Sequence, residues 1–123
     1  MIAIDTSVWA DFFRGALPHV RDLMITGQIV QPPTVTGELA MGNLRDRDRT
    51  IALLQEIDPL ALPVDQIVLD FVRDHALFGT GIGWSDAQIL ASVMIDGRCR
   101  LWTRDKRLAS HAERLGCAYR VPD

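Results

Sequence analysis

Three acidic residues stand where short apolar segments stop or where helices begin, and a fourth lies within a helix-forming run. Asp5 follows Met1-Ile2-Ala3-Ile4, and Asp105 lies just beyond Arg100-Leu101-Trp102-Thr103. Asp86 comes after the glycine-rich stretch Gly79-Thr80-Gly81-Ile82-Gly83, and Glu38 sits inside a helix-forming run. A single aspartate at such a place has an ordinary use, because its carboxylate meets the unpaired N–H groups and the positive dipole end of a helix start. Glu38 is different. Its neighbours three and four residues away are Thr34, Val35, Met41 and Gly42, and no Lys or Arg lies within four positions. The pattern puts its carboxylate on or beside an apolar, small-residue stripe, where a charge wants a cation; a distant Arg or an exposed face would satisfy it equally. Four carboxylates in one cleft repel one another unless a cation sits among them. Hard oxygen ligands select Mg²⁺ or Mn²⁺ over Zn²⁺. An ion held this way suits phosphodiester cleavage, by activating water and stabilising charge on the phosphate and the leaving oxygen.

The elements that must position these acids alternate in type. Ile2–Ile4, Ile29-Val30, a segment between Pro59 and Pro63, 100–103 and 118–121 read as strands. Helices are expected near 6–13 (capped by Thr6 or Ser7), 18–26, 34–43, 46–57, 64–78, 85–96 and 105–115. Ile51, Leu54 and Ile57 mark the buried face of the fourth, and Ile67, Phe71 and Leu77 that of the fifth. Ser85-x-x-Gln88 reads as a capping box. Short apolar strands between helices of about ten residues predict an α/β fold, with a mainly parallel sheet covered on both faces. Ligands in such sheets bind at the carboxyl ends of the strands, which is where Asp5 and Asp105 fall.

The chain of 123 residues fits one domain spanning 1–123, and its 48% hydrophobic content excludes wholesale disorder. Charge is unevenly spread: residues 1–97 hold six basic and thirteen acidic residues, and 98–123 hold seven and three. All the basic residues but Lys106 are Arg, which keeps its charge and grips phosphate with two prongs. Arg98, Arg100, Arg104, Lys106 and Arg107 are therefore candidate contacts to an anionic group such as phosphate, which the resemblance described below makes the phosphates of RNA. Cys99 and Cys117 form no CxxC or zinc spacing with His19, His75 and His111 and read as buried thiols. No signal peptide or spanning run is seen, so the expected location is the cytoplasm. The glycines at 79, 81 and 83 make neither a dinucleotide nor a P-loop motif and are expected to form a turn that delivers Asp86. Trp9 and Trp102 read as core. Trp84 reads as core or dimer interface ahead of base stacking.

Three segments carry a resemblance. Ile2-Ala3-Ile4-Asp5-Thr6-Ser7-Val8-Trp9, Gly83-Trp84-Ser85-Asp86-Ala87-Gln88-Ile89-Leu90-Ala91 and Leu101-Trp102-Thr103-Arg104-Asp105-Lys106-Arg107-Leu108 resemble PIN-domain proteins, with the VapC toxins of toxin–antitoxin pairs as the nearest group. The resemblance spans essentially the whole chain and implies a PIN-like three-layer α/β/α sandwich. It implies a metal-dependent endoribonuclease using Mg²⁺ or Mn²⁺, with Asp5, Glu38, Asp86 and Asp105 as metal-binding and catalytic acids and with Ser7 and Thr103 supporting them. Some relatives carry a further acid near the fourth, where this chain has Arg104, Lys106 and Arg107. The resemblance further implies a homodimer and a VapB-type antitoxin that wraps the toxin and sets a basic side chain near the acids. The net charge of −3 fits an enzyme that selects a folded RNA by shape or reads a single-stranded loop.

Two other classes are distinguishable. A phosphate-accepting receiver domain also gathers acids at strand ends, but it usually opens with paired acids, whereas Asp5 is followed by Thr6-Ser7. A catalytically idle PIN-like binding module is expected to lose some of the four acids, and all are present here.

Overall fold

The structure is a computed structural model, and it describes residues 1–122. Four strands, β1 (Ile2–Ile4), β2 (Ile29–Gln31), β3 (Asp58–Pro59) and β4 (Arg100–Trp102), form one parallel sheet in the order β3-β2-β1-β4. Among the described residues, seven helices lie between and after them: α1 (Thr6–Phe13), α2 (His19–Ile25), α3 (Pro33–Ala40), α4 (Arg47–Gln55), α5 (Asp65–Asp74), α6 (Trp84–Asp96) and α7 (Lys106–Arg114). Every residue of β1 and β2 is buried, which requires cover on both faces of the sheet. α1 packs on α3 and α3 on α4, while α5 packs on α6. The expected α/β/α sandwich is therefore the fold.

The strand order has a direct consequence for function. From β1 the sheet grows through β2 to β3 on one side and reaches β4 on the other. Such a reversal opens a crevice beyond the carboxyl ends of β1 and β4. Ile4 is paired with Trp102, and the Asp5 N–H continues the ladder by donating to the Trp102 carbonyl at 3.2 Å. The residues that follow β1 and β4 thus emerge side by side.

The core is continuous. Trp9, Ile4, Leu90, Leu101 and Leu108 are almost wholly buried, and the Trp9 indole N–H donates to the buried Gln31 side chain at 3.1 Å. Trp102 is core as expected, and both cysteines are free and buried. No helix among the described residues is long and apolar enough to cross a membrane.

Several local expectations are corrected. Asp5, not Thr6 or Ser7, caps α1: its extended backbone lets the carboxylate accept from the Val8 N–H at 3.3 Å. The capping box at Ser85 does not form, because the chain enters α6 one residue earlier with Gly83 as N-cap. α5 buries Val68 and Phe71, whereas Ile67 is exposed, and the helix stops at Asp74 before Ala76 turns to φ +53°. The segment between Pro59 and Pro63 is not a strand; the strand is Asp58–Pro59 just before it, at the sheet edge where a missing N–H is tolerated. The last strand reduces to a single parallel bridge between Leu101 and Ala118.

Candidate active site

Asp5 is 5% exposed and is held from three directions. Its Oδ1 accepts from the Ser7 hydroxyl at 2.5 Å and from the Val8 N–H, and its Oδ2 accepts from the Thr103 hydroxyl at 2.5 Å. Both hydroxyls are themselves anchored. The Arg104 N–H donates to Ser7 Oγ at 2.9 Å, and the Asp105 N–H donates to Thr103 Oγ1 at 3.1 Å. The turn between β4 and α7 is thereby stitched to the turn between β1 and α1. Burial pushes the Asp5 carboxyl above the usual aspartate range, and the hydrogen bonds from Ser7, Thr103 and Val8 oppose that shift.

Asp105 caps α7, its Oδ1 accepting from the Leu108 N–H at 2.9 Å. That capping fixes the carboxylate beside the Thr103 turn, so the ordinary use of an aspartate and its place in the cleft coincide. Asp86 lies in the first turn of α6, half-buried, behind a loop in which Gly79 and Gly81 take positive φ. Its carboxyl is raised, first by burial and then by the negative charges of Asp105, Asp5 and Glu38, against an opposing backbone interaction with Gly83. Asp5 after β1, Glu38 on α3 and Asp105 at the start of α7 therefore each bear electrostatically on Asp86.

Glu38 departs from its expected setting. α3 buries Val35 and Leu39, and Glu38, one residue before Leu39 and so about 100° around the helix, is exposed. Its carboxylate is nevertheless held. The Ser85 hydroxyl donates to Oε1 at 2.5 Å and the Thr6 hydroxyl donates to Oε2 at 3.0 Å. Neither Thr6 nor Ser85 was singled out as a site residue by pattern, although each adjoins a candidate acid in the chain.

Among the described residues, no ion pair engages Asp5, Glu38, Asp86 or Asp105. Nor do three carboxylate, imidazole or thiol groups there form a ready-made metal cage. The site offers unpaired, mutually repelling carboxylates with no imidazole or thiol in their hydrogen-bonded network. That donor chemistry fits a hydrated Mg²⁺ or Mn²⁺, which needs only one or two carboxylates and keeps several waters.

The basic residues divide into two groups. Arg104, Lys106 and Arg107 follow the carboxyl end of β4, beside the acids. Arg104 Nε pairs with Asp11 on α1 at 2.9 Å, and the Arg107 guanidinium lies against Gly81. Arg98 and Arg100 stand at the amino end of β4, away from the acids, because a strand separates its two ends. Arg98 pairs with Asp96, and Arg100 donates to the Gly116 carbonyl. The structure thus does not gather the five basic candidates on one face. His19 bonds Tyr119, and Trp84 is exposed.

No family model matches the chain. Among curated proteins it is similar to Ribonuclease VapC32 of Mycobacterium tuberculosis, in strains CDC 1551 and H37Rv alike. It shares 37% identity with that protein over 118 residues, 96% of this chain and 95% of the relative. Among solved structures, that of FitAcB from Neisseria gonorrhoeae has the same fold, with a TM-score of 0.62 and 18% identity, covering 92% of this chain and 94% of that one. Identity at the level of VapC32 across nearly the full length of both chains, on a parallel sheet that sets Asp5 beside Thr103, places the chain in the VapC family of PIN-domain ribonucleases.

Proposed function

We propose that the protein is a Mg²⁺- or Mn²⁺-dependent endoribonuclease, the toxin of a VapBC-type pair, neutralised by a cognate antitoxin. The observation that carries this reading is the hydrogen-bonded network at the carboxyl ends of β1 and β4, in which Thr103 links Asp5 to the Asp105 turn while Thr6 and Ser85, the chain neighbours of Asp5 and Asp86, hold Glu38. Asp5 and Asp86 would be the main metal ligands, with Asp105 completing the site directly or through water. When bound, the ion supplies a more acidic water and stabilises charge on the phosphate and the leaving oxygen.

The chain's own residues do the rest. Ser7 and Thr103 keep both Asp5 oxygens oriented, so that the carboxylate cannot turn away from the cleft. Glu38, exposed at the cleft edge, orients the attacking water or takes its proton. In-line attack then leaves a 3′-hydroxyl and a 5′-phosphate. Arg104, Lys106 and Arg107 border the acids and would meet the RNA phosphates, in a folded RNA such as tRNA, rRNA or mRNA.

VapC32 is a ribonuclease by name, and shared family supports the same reaction class here. A VapB-type antitoxin fits a cleft whose four acids form no ion pair among the described residues, since a basic side chain placed there would relieve the repulsion among the carboxylates. A homodimer is part of this reading. Exposed Phe78 and Trp84 border the same shallow apolar pocket and offer a contact face for a second copy.

The test uses purified protein with Asp5→Ala and Asp86→Ala made separately. Each is expected to abolish Mg²⁺-dependent cleavage of RNA and the rise in melting temperature that Mn²⁺ gives the wild type, because a ligand that binds only the folded state stabilises it. Full cleavage by either variant rules out the assignment.

A further inference from the structure

Resting on the ribonuclease reading, we propose that Ser85 and Thr6 are positioning residues whose two hydroxyls clamp the Glu38 carboxylate between Asp5 and Asp86. Serine and threonine in the first turn of a helix ordinarily spend their hydroxyls on the backbone. These two do not: Asp5 caps α1, and Gly83 stands at the N-cap of α6. Each hydroxyl instead crosses to α3, Ser85 to Glu38 Oε1 and Thr6 to Glu38 Oε2.

The directions are set by chemistry. An ionised carboxylate only accepts, so Ser85 and Thr6 are the donors. The Ser85 oxygen is left to accept from the Thr34 hydroxyl, 3.2 Å away and one helical turn before Glu38 on α3. Thr34, Ser85 and Glu38 therefore form a relay that begins and ends on α3 and passes through the start of α6.

The clamp answers a specific need. Glu38 is long and exposed and forms no ion pair, so nothing else among the described residues fixes its orientation. A carboxylate has about four lone-pair directions, and one donor on each oxygen leaves room on both for a water or a hydrated cation. The donors are also the chain neighbours of Asp5 and Asp86. A shift of α1 or α6 that moves either aspartate therefore moves Glu38 with it.

Ser85→Ala, Thr6→Val and the double variant test this, with Ser85→Thr as the conservative replacement. Mn²⁺ affinity is read by calorimetry, and cleavage by steady-state kinetics on a fluorogenic stem–loop RNA that offers both a folded stem and a single-stranded loop. The double variant is expected to lose about tenfold or more in kcat, with KM for the RNA unchanged, and to bind Mn²⁺ more weakly. Ser85→Thr is expected to restore both. In a Glu38→Gln background, Ser85→Ala is expected to change Mn²⁺ affinity no further, because residues acting as one unit are not additive. An active wild type whose double variant matches it in kcat and Mn²⁺ affinity overturns the clamp alone. So does a Ser85→Ala effect that is fully additive with Glu38→Gln. A wild type that neither binds Mn²⁺ nor cuts RNA overturns the ribonuclease reading and the clamp with it.

Discussion

Thr103 reaches across 98 positions of sequence to donate a 2.5 Å hydrogen bond to Asp5, and its oxygen also accepts the N–H of Asp105. One hydroxyl thus serves a buried carboxylate and sets the turn that presents a second one. Replacing it removes a donor from an acid that is only 5% exposed. Thr103→Val is expected to destabilise the fold by about 1–3 kcal/mol and to lower cleavage sharply, whereas Thr103→Ser keeps the donor and stays near wild type. Urea denaturation alongside a cleavage assay checks both, and a stable, fully active Thr103→Val would remove Thr103 from the site.

The raised carboxyls of Asp5 and Asp86 make a prediction with a definite sign. In each case burial is the largest cause, so the folded state holds the proton to a higher pH than the unfolded chain does. Across that window the native form binds more protons, and stability from these groups falls as pH climbs from the ordinary value of 3.8 through the raised one. In metal-free buffer, Asp5→Asn is expected to match wild type in acid and to melt higher at neutral pH, while losing cleavage. Melting curves from pH ~4 to pH ~7 read this directly. A neutral-pH melting temperature below that of wild type would show the hydrogen bonds outweighing the burial.

Phosphate contact should follow the division of the basic residues. Arg104→Ala, Lys106→Ala and Arg107→Ala are expected each to weaken RNA binding and to reduce the salt dependence, by a slope of about 0.7 for each lost phosphate contact to a single strand. Arg98→Ala and Arg100→Ala, at the other end of β4, are expected to leave both unchanged. Filter binding at several salt concentrations distinguishes the two sets.

Gly81 adopts φ +93°, and a Cβ there would lie 2.7 Å from the Arg107 guanidinium. Gly81→Ala is expected to cost about 1–2 kcal/mol from the backbone alone and to push the flexible Arg107 head aside, weakening RNA binding with it. Gly83→Ala meets open space at an ordinary φ and is expected to be tolerated. Thermal melts and RNA binding of the two variants provide the comparison.

What was legible in the sequence was local. Ile2-Ala3-Ile4 before Asp5, and Leu101-Trp102 before Thr103, read as strands because short apolar runs end at polar stops, and their carboxyl ends mark the cleft in any parallel sheet. What was not legible required knowing which elements meet. Ser85 carries a convincing local signal for a cap, yet its partner is Glu38, 47 positions away. The three- and four-residue neighbours of Glu38 suggest an apolar stripe, but of these Val35 turns inward, with Leu39, while Met41 is almost fully exposed. Arg98 and Arg100 looked like partners of Arg104 by proximity in the chain. The strand between them sends the two groups to different ends of the sheet.

The strand order also decides when the centre can exist. β1 is flanked by β2 on one side and by β4 on the other, and the hydroxyl that secures Asp5 comes from the residue after β4. A nascent polypeptide still lacking residues 100–105 holds Asp5, Glu38 and Asp86 but neither Thr103 nor Asp105. A product that stops before that final strand therefore lacks both the hydroxyl that holds Asp5 and one of the four acids.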